Sequence, residues 1–220
     1  IEQHPGTWDI YVYNLSHGEY AAGATNPGEP MIAASLIKLY IMGATFQKFE
    51  DGELQYWEAF PSARQMITVS DNFCANWLIL RLGESQEQAG FDCVNAFADA
   101  IGCTSTRLNR SMLDTKSERE NYTSAEDLAL FFRKLYRFEL VSPEYSSDML
   151  EVLKAAVAKD RIPAGLPQGT VCAHKTGDLA NKSCGDAGLV FSPGADYILA
   201  VINNNSENDA ETIQSIAELS

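Results

Sequence analysis

Residues 31–46, MIAASLIKLYIMGATF, are almost entirely apolar and guide the interpretation of the whole chain. They predict a helix from about residue 35 to residue 49 that is apolar on every side, which is typical of a buried helix. The only charge is Lys38, three positions after Ser35 and on the same helical face. A desolvated lysine can take the proton of a serine hydroxyl. Taken alone, however, the S-x-x-K pattern favours a capping serine beside a lysine that reaches solvent.

A second motif, SDN at residues 70–72, falls between two predicted helices. The hydroxyl of Ser70 can relay a proton to a leaving nitrogen because it both donates and accepts. The carboxamide of Asn72 can orient a substrate amide. Asp71 has no evident task at a substrate, and we interpret it as a structural cap.

A third motif, KTG at residues 175–177, ends a predicted strand over residues 170–176. Lys175 offers a positive charge and Thr176 a hydroxyl to a substrate carboxylate. Gly177 would let a substrate backbone lie against the strand edge. His174 is interpreted as a strand residue with a local hydrogen bond and not as a catalyst.

The three motifs, in this order, resemble the signature of class A β-lactamases and penicillin-binding proteins. Flanking segments at residues 33–38, 66–72 and 161–167 are also similar to that family. The resemblance, like the order of predicted elements, implies an α+β fold with an antiparallel sheet built from both chain ends, flanked by helices, and an inserted all-helical lobe. We expect one catalytic domain, 1–220, with an α/β lobe at about 1–50 and 160–220 and a helical lobe at about 51–159.

The resemblance implies a serine hydrolase in which Ser35 becomes acylated. It implies β-lactams or D-alanyl peptides as ligands, without a cofactor or metal. It also implies an oxyanion hole made by the backbone N–H groups of Ser35 and Asp178. The implied catalytic residues are Ser35, Lys38, Ser70 and Lys175, and the implied substrate-binding residues are Asn72, Thr176, Gly177 and Asp178.

The family pattern fails in the polar loop predicted for residues 102–122. Class A β-lactamases carry E-P-E-L-N there, and its first glutamate activates the water that hydrolyses the acyl-enzyme. In this chain the neck of the loop matches, with Arg110 able to pair with Glu120, but Met112 stands where the glutamate is expected. Asp114 or Glu118 could substitute, or Lys38 could serve both steps.

The missing glutamate leaves several functions open. The chain can be a β-lactamase with slow deacylation, a penicillin-binding carboxypeptidase or esterase, or a β-lactam sensor that stays acylated. Many relatives also place an arginine on the strand after KTG, but residues 177–220 contain none. Cys184 falls near that place and Lys182 is the only nearby cation, so we expect a weaker or different carboxylate clamp.

The composition restricts partners and chemistry further. Sixteen Lys and Arg against thirty Asp and Glu give a net charge of -14, which repels nucleic acids and anionic membranes. No apolar run has the length of a membrane span. The five cysteines show no zinc spacing and are predicted to be free thiols. We expect a monomer, and the resemblance implies an extracytoplasmic location.

Overall fold

The computed structural model describes residues 4–206 and 208–220, and within them the largest element is a five-stranded antiparallel sheet of order β2-β1-β7-β6-β5. Its strands are β1 (Thr7–Asn14), β2 (Tyr20–Ala24), β5 (Val171–Leu179), β6 (Ser183–Phe191) and β7 (Tyr197–Asn204). A second, small sheet pairs β3 (Met31–Ile32) with β4 (Tyr122–Thr123). The predicted α+β fold with a sheet made from both chain ends is therefore confirmed.

One 3-10 turn and eight α-helices complete the described part of the chain. They are η1 (Ala34–Ile37), α1 (Lys38–Glu50), α2 (Tyr56–Thr68), α3 (Asn72–Leu82), α4 (Glu87–Ala100), α5 (Ala125–Tyr136), α6 (Pro143–Lys154), α7 (Ile162–Gly165) and α8 (Asp209–Glu218). None of the helices in residues 4–206 and 208–220 is both long and apolar enough to cross a membrane.

Helices cover both faces of the main sheet. Helix α5 packs on β1, β6 and β7, while α7 and α8 lie against the other face. The central strands β6 and β7 are consequently buried along almost their whole length. Since α5 belongs to the predicted helical lobe yet packs on the sheet, the division into two lobes stays a prediction.

Several predicted boundaries are wrong. The sequence predicts a helix at about residues 63–69, but α2 begins at Tyr56 and contains Pro61. The rings of Tyr56 and Phe60 stack at 4.5 Å and contact Phe46, so tertiary packing outweighs the lost hydrogen bond. Trp57, whose carbonyl group loses its helical donor to the proline, is 76% exposed.

The KTG motif also lies inside β5 and not at its end, because the strand continues to Leu179. The chain reverses only afterwards, where the backbone N–H of Lys182 donates to the carbonyl of Leu179 at 2.8 Å. The five cysteines, all in the described part, are free as predicted.

The start of α5 fixes the polar loop that precedes it. Residues 123–126, TSAE, predict a capping box that begins at Thr123, but Thr123 is the last residue of β4, and the cap is Ser124. Its hydroxyl accepts from the backbone of Asp127 at 3.1 Å. The buried carboxylate of Asp127 accepts in turn from the backbone of Ser105 at 2.8 Å and the hydroxyl of Thr106 at 2.8 Å. One side chain therefore anchors the entrance of the loop.

Replacing Asp127 by Asn should lower the free energy of unfolding by about 3 kcal/mol, because a buried charged acceptor with several donors is lost. Urea unfolding followed by circular dichroism measures the change. Glu126→Gln removes the same charge from the same turn, but Glu126 is exposed, so its effect should stay within about 0.5 kcal/mol. Equal losses in the two variants would contradict the anchoring role.

Candidate active site

Ser35 lies in the 3-10 turn η1, and α1 begins only at Lys38. The predicted single helix over residues 35–49 is therefore divided at the position of the lysine. Side chains three residues apart eclipse one another in a 3-10 turn. Ala34, which introduces the turn, has φ +46°, a conformation that non-glycine residues rarely adopt and that marks local strain.

Gly177 holds η1 directly against β5. A Cβ atom at this position would lie 2.8 Å from Cγ of Leu36 and 3.0 Å from the carbonyl oxygen of Ala33. A larger residue would therefore push the turn carrying Ser35 away from the strand. The glycine expected to admit a substrate backbone is thus required already for packing within the protein.

Lys38 is completely buried, and its ammonium donates to three oxygen atoms of the SDN segment. These are the Ser70 carbonyl at 2.6 Å, the Ser70 hydroxyl at 3.2 Å and the Asn72 side-chain oxygen at 2.7 Å. Helical spacing predicts a buried Lys38 within hydrogen-bonding reach of Ser35; the burial is confirmed, but among the described residues its hydrogen bonds go to Ser70 and Asn72 and none to Ser35. Lys38 instead links the start of α1 to the junction of α2 and α3.

Lys175 approaches the same hydroxyl from the sheet. It is 1% exposed, and its ammonium donates to the Ser70 hydroxyl at 3.0 Å and to the Thr176 carbonyl at 2.6 Å. The two buried lysines thus meet at one serine oxygen, and within the described residues neither forms an ion pair with a carboxylate. Ser70 itself has φ +58°, a second strained residue at the site.

Burial governs the protonation of both lysines. It lowers the pKa of Lys38 to about 8, although the charge of Asp71 opposes the shift. Burial and then the charge of Lys38 lower the pKa of Lys175 to about 7. Both groups can therefore exchange protons near neutral pH.

Asp71 and His174 take the structural positions expected of them. Asp71 caps α3 by accepting from the backbone of Cys74 at 2.7 Å. His174 is buried in β5, and its Nδ1 lies 2.9 Å from the buried carboxylate of Asp186. That carboxylate also accepts from the backbone of Ile162 at 3.2 Å. The pair joins β5 and β6 to the start of α7.

A cavity of about 390 Å³ opens beside Ser35, within the range typical of small-molecule sites. The loop over residues 110–121 and the turn between β5 and β6 form its walls. The side-chain amide of Asn76 fixes that loop by bonding both backbone groups of Met112, at 2.9 Å to the carbonyl and 2.7 Å from the N–H. The predicted pair of Arg110 and Glu120 across the neck is confirmed at 2.7 Å.

Neither candidate substitute for the glutamate is placed as a buried base. Asp114 lines the cavity but is exposed, and its Oδ1 accepts from the backbones of Lys116 and Ser117 at 3.0 and 3.2 Å. Glu118 is exposed and is not among the residues lining the cavity. Met112, in contrast, is only 7% exposed.

Sequence reasoning missed Arg161 as a cation of this site. Its guanidinium is 4% exposed and donates to the carboxylate of Asp178 at 2.5 Å and to the Gly185 carbonyl at 3.2 Å. Lys182 is therefore not the only cation near the end of the KTG segment. Arg161 lies in the segment before α7 and outside the strands, so the spacing of residues along a strand does not indicate its position.

Comparisons with known proteins agree with this geometry. A β-lactamase of Streptomyces albus G is 29% identical over 150 residues, which are 66% of this chain and 46% of that protein. The chain thus spans a little under half the length of that curated relative. PBP-A, whose variant was solved as an acyl-enzyme complex with penicillin-G, is 28% identical, with a TM-score of 0.84 over 100% of this chain and 90% of its own.

A reconstructed class A β-lactamase of the last common ancestor of Gram-negative bacteria is 22% identical, covers 99% of this chain and 93% of its own, and has a TM-score of 0.85. At this identity the likeness shows the fold, which is the class A fold expected from the motifs. The model of the beta-lactamase enzyme family matches residues 1–65 and 61–220. Because that match extends over the whole chain, the protein belongs to the beta-lactamase enzyme family.

Proposed function

We propose that this protein is a serine hydrolase that is acylated at Ser35 and opens the amide bond of β-lactams. The observation that carries the proposal is the meeting of Lys38 and Lys175 at the Ser70 hydroxyl, next to a cavity lined by Ser35. This arrangement provides a base, a proton relay and a positive charge within one hydrogen-bonded group.

Acylation begins when Ser35 Oγ attacks the lactam carbonyl carbon. Neutral Lys38 accepts the serine proton, and the new C–O bond gives a tetrahedral oxyanion facing the backbone N–H groups of Ser35 and Asp178. The C–N bond then breaks, and the leaving nitrogen takes a proton from the Ser70 hydroxyl. Lys38, whose ammonium donates to Ser70, restores that proton, so the base is neutral again in the acyl-enzyme.

The substrate carboxylate is assigned to the end of the cleft where Lys175 and Thr176 lie. Arg161 supports this assignment, since among the described residues its buried guanidinium donates to a single side-chain acceptor, the half-exposed carboxylate of Asp178. A substrate carboxylate can share that guanidinium from the solvent side. Asn72 orients the substrate amide, although its side-chain oxygen is bonded to Lys38 in the free protein.

Deacylation is proposed to be the slower half of the reaction. It needs a water molecule beside a base within about 3 Å of the acyl carbonyl. The buried side chain at the expected position is Met112, which neither binds nor activates water. Asp114 is bound to its own loop and exposed, which leaves Lys38 as the buried base nearest to the ester.

A second function, a penicillin-binding peptidase or sensor that remains acylated, is favoured by the same buried Met112. A mutant of PBP-A, which has the same fold, was solved as an acyl-enzyme complex with penicillin-G. The two functions share the acylation step and differ only in the lifetime of the ester. Time-resolved mass spectrometry therefore distinguishes them. The adduct of a hydrolase decays over repeated turnovers, whereas the adduct of a peptidase or sensor that remains acylated persists.

Ser35→Ala should abolish the covalent mass gain produced by penicillin-G, because the proposed ester forms at the Ser35 hydroxyl. Intact-protein mass spectrometry measures the adduct, and circular dichroism verifies the fold. Ser117→Ala is the matched control, since Ser117 lines the same cavity and should leave labelling intact. Labelling that survives in Ser35→Ala would refute the assignment of the nucleophile.

The second-order rate constant of acylation should follow a bell-shaped pH profile with its maximum between about pH 7 and 8. It rises as Lys38, with its pKa lowered to about 8, loses its proton and becomes a base. It falls as Lys175, with its pKa lowered to about 7, loses the charge that holds the substrate carboxylate. Stopped-flow measurement of this rate constant with penicillin-G and with its methyl ester tests both sides of the pH profile. The ester has no carboxylate and should show a weaker alkaline limb, whereas identical profiles would contradict the role of Lys175.

Turnover of penicillin-G should show a burst followed by a slow steady phase, because the ester forms faster than it hydrolyses. Met112→Glu should raise the deacylation rate constant about 100-fold by placing a general base in the loop pinned by Asn76. Met112→Gln is the isosteric control and should leave deacylation slow. Rapid turnover without a burst in the unmodified protein would instead indicate an existing base, which Asp114→Asn and Glu118→Gln would then identify.

A further inference from the structure

The cavity beside Ser35 carries charged groups that the proposed acylation does not use. Glu120 stands between two cations of its wall. One carboxylate oxygen accepts from Arg110, with Nη2 at 2.7 Å and Nε at 3.0 Å, and the other accepts from Lys182 Nζ at 2.8 Å. The three residues join the neck of the loop to the turn between β5 and β6, and all line the cavity.

This trio has a surplus positive charge. Within residues 4–206 and 208–220, neither Arg110 nor Lys182 has a second acidic partner. Burial favours the protonated form of Glu120, but hydrogen bonds from Lys182 and Arg110 outweigh it and hold its pKa below the usual value. The carboxylate therefore stays charged, and one unit of positive charge remains.

Lys182 is the member of the trio that can reach a ligand. Its side chain is 56% exposed, against 13% for Arg110 and 16% for Glu120. Exposed ion pairs contribute little to stability, so turning the ammonium toward a bound carboxylate costs little. Glu120 keeps its two bonds to Arg110 when this happens.

The same cavity contains one negative charge without an ionic partner. Asp114 accepts only backbone N–H groups, from Lys116 and Ser117, and forms no ion pair in the described part of the chain. Asp178, also in the wall, is neutralised by Arg161. A ligand with a single charge would thus be attracted by one of Lys182 and Asp114 and repelled by the other. An apolar ligand would remove water from both charged groups.

We propose that the cavity selects substrates whose acyl group ends in an α-ammonium carboxylate. Its carboxylate pairs with Lys182 beside Arg110, and its ammonium pairs with Asp114. The inference rests on the proposed function, since it concerns the acyl half of the substrate that would be attached to Ser35. It predicts a preference for zwitterionic acyl chains, such as those ending in an amino acid, over neutral or purely anionic ones.

Three penicillins with acyl chains of equal length test this preference: the α-aminoadipyl, adipyl and hexanoyl derivatives. The adipyl compound lacks the ammonium group, and the hexanoyl compound lacks the carboxylate as well. The second-order rate constant of acylation, measured by intact-protein mass spectrometry, should be about tenfold larger for the α-aminoadipyl compound than for either of the others. Equal rate constants for the three compounds would overturn the inference.

Variants assign the preference to the two charges. Lys182→Met and Asp114→Asn should each reduce the ratio of the α-aminoadipyl to the hexanoyl rate constant toward one, and Asp114→Asn should in addition favour the adipyl compound. Lys154→Met and Glu118→Gln are matched controls, since they remove the same charges outside the cavity, and they should keep the ratio.

The outcomes separate this inference from the proposed function. A ratio that survives in both Lys182→Met and Asp114→Asn would overturn the zwitterion site while leaving acylation at Ser35 intact. No labelling of Ser35 by any of the three penicillins would refute the proposed function itself, and the inference with it.

Discussion

Two buried ammonium groups share one hydroxyl in this molecule, and the arrangement of the chain around them follows from that. Lys38 comes from the first residue of α1, Lys175 from the middle of β5 and Ser70 from the junction of α2 and α3. Removing a lysine from water costs several kcal/mol unless the charge is compensated or given up. The protein compensates with carbonyl and hydroxyl oxygens and not with carboxylates, which keeps both pKa values close to neutrality. A carboxylate partner would have raised those pKa values and removed the base.

The strain at the site has the same origin. Holding three separate segments around one oxygen atom requires a close approach of η1 to β5, which only a glycine at position 177 permits. Ala34 and Ser70, the residues that enter the site from the helical side, both have positive φ. Strained backbone of this kind persists only where the surrounding packing determines it. Here the buried residues of η1 and α1 provide that packing on one side and the fully buried central strands on the other.

The sequence predicted those parts of the site whose residues are close together in the chain. The family resemblance of three short motifs predicted Ser35, Lys38 and the SDN and KTG segments as site residues, and the strands at both ends predicted the sheet. Contacts between residues that are distant in the chain could not be predicted from the sequence. Lys38 has a side chain long enough to choose between Ser35 and the SDN segment, and only the packed structure decides for Ser70 and Asn72. Helix α2 begins earlier than its proline suggests because an aromatic cluster from two helices stabilises it.

The fold fixes the groups proposed for acylation, but it does not fix the group that would carry out deacylation. In the proposed mechanism, the groups that form the ester lie on η1, α1, β5 and the SDN junction, which are fixed by burial. A base dedicated to hydrolysing the ester would come from the loop over residues 110–121, which is held by its neck, by Asn76 and by the anchor at Asp127. These contacts involve mainly the backbone of the loop, so they define its path without defining the side chain at position 112. A fold can therefore keep its acylating half intact while this one position decides between a hydrolase and a protein that stays acylated.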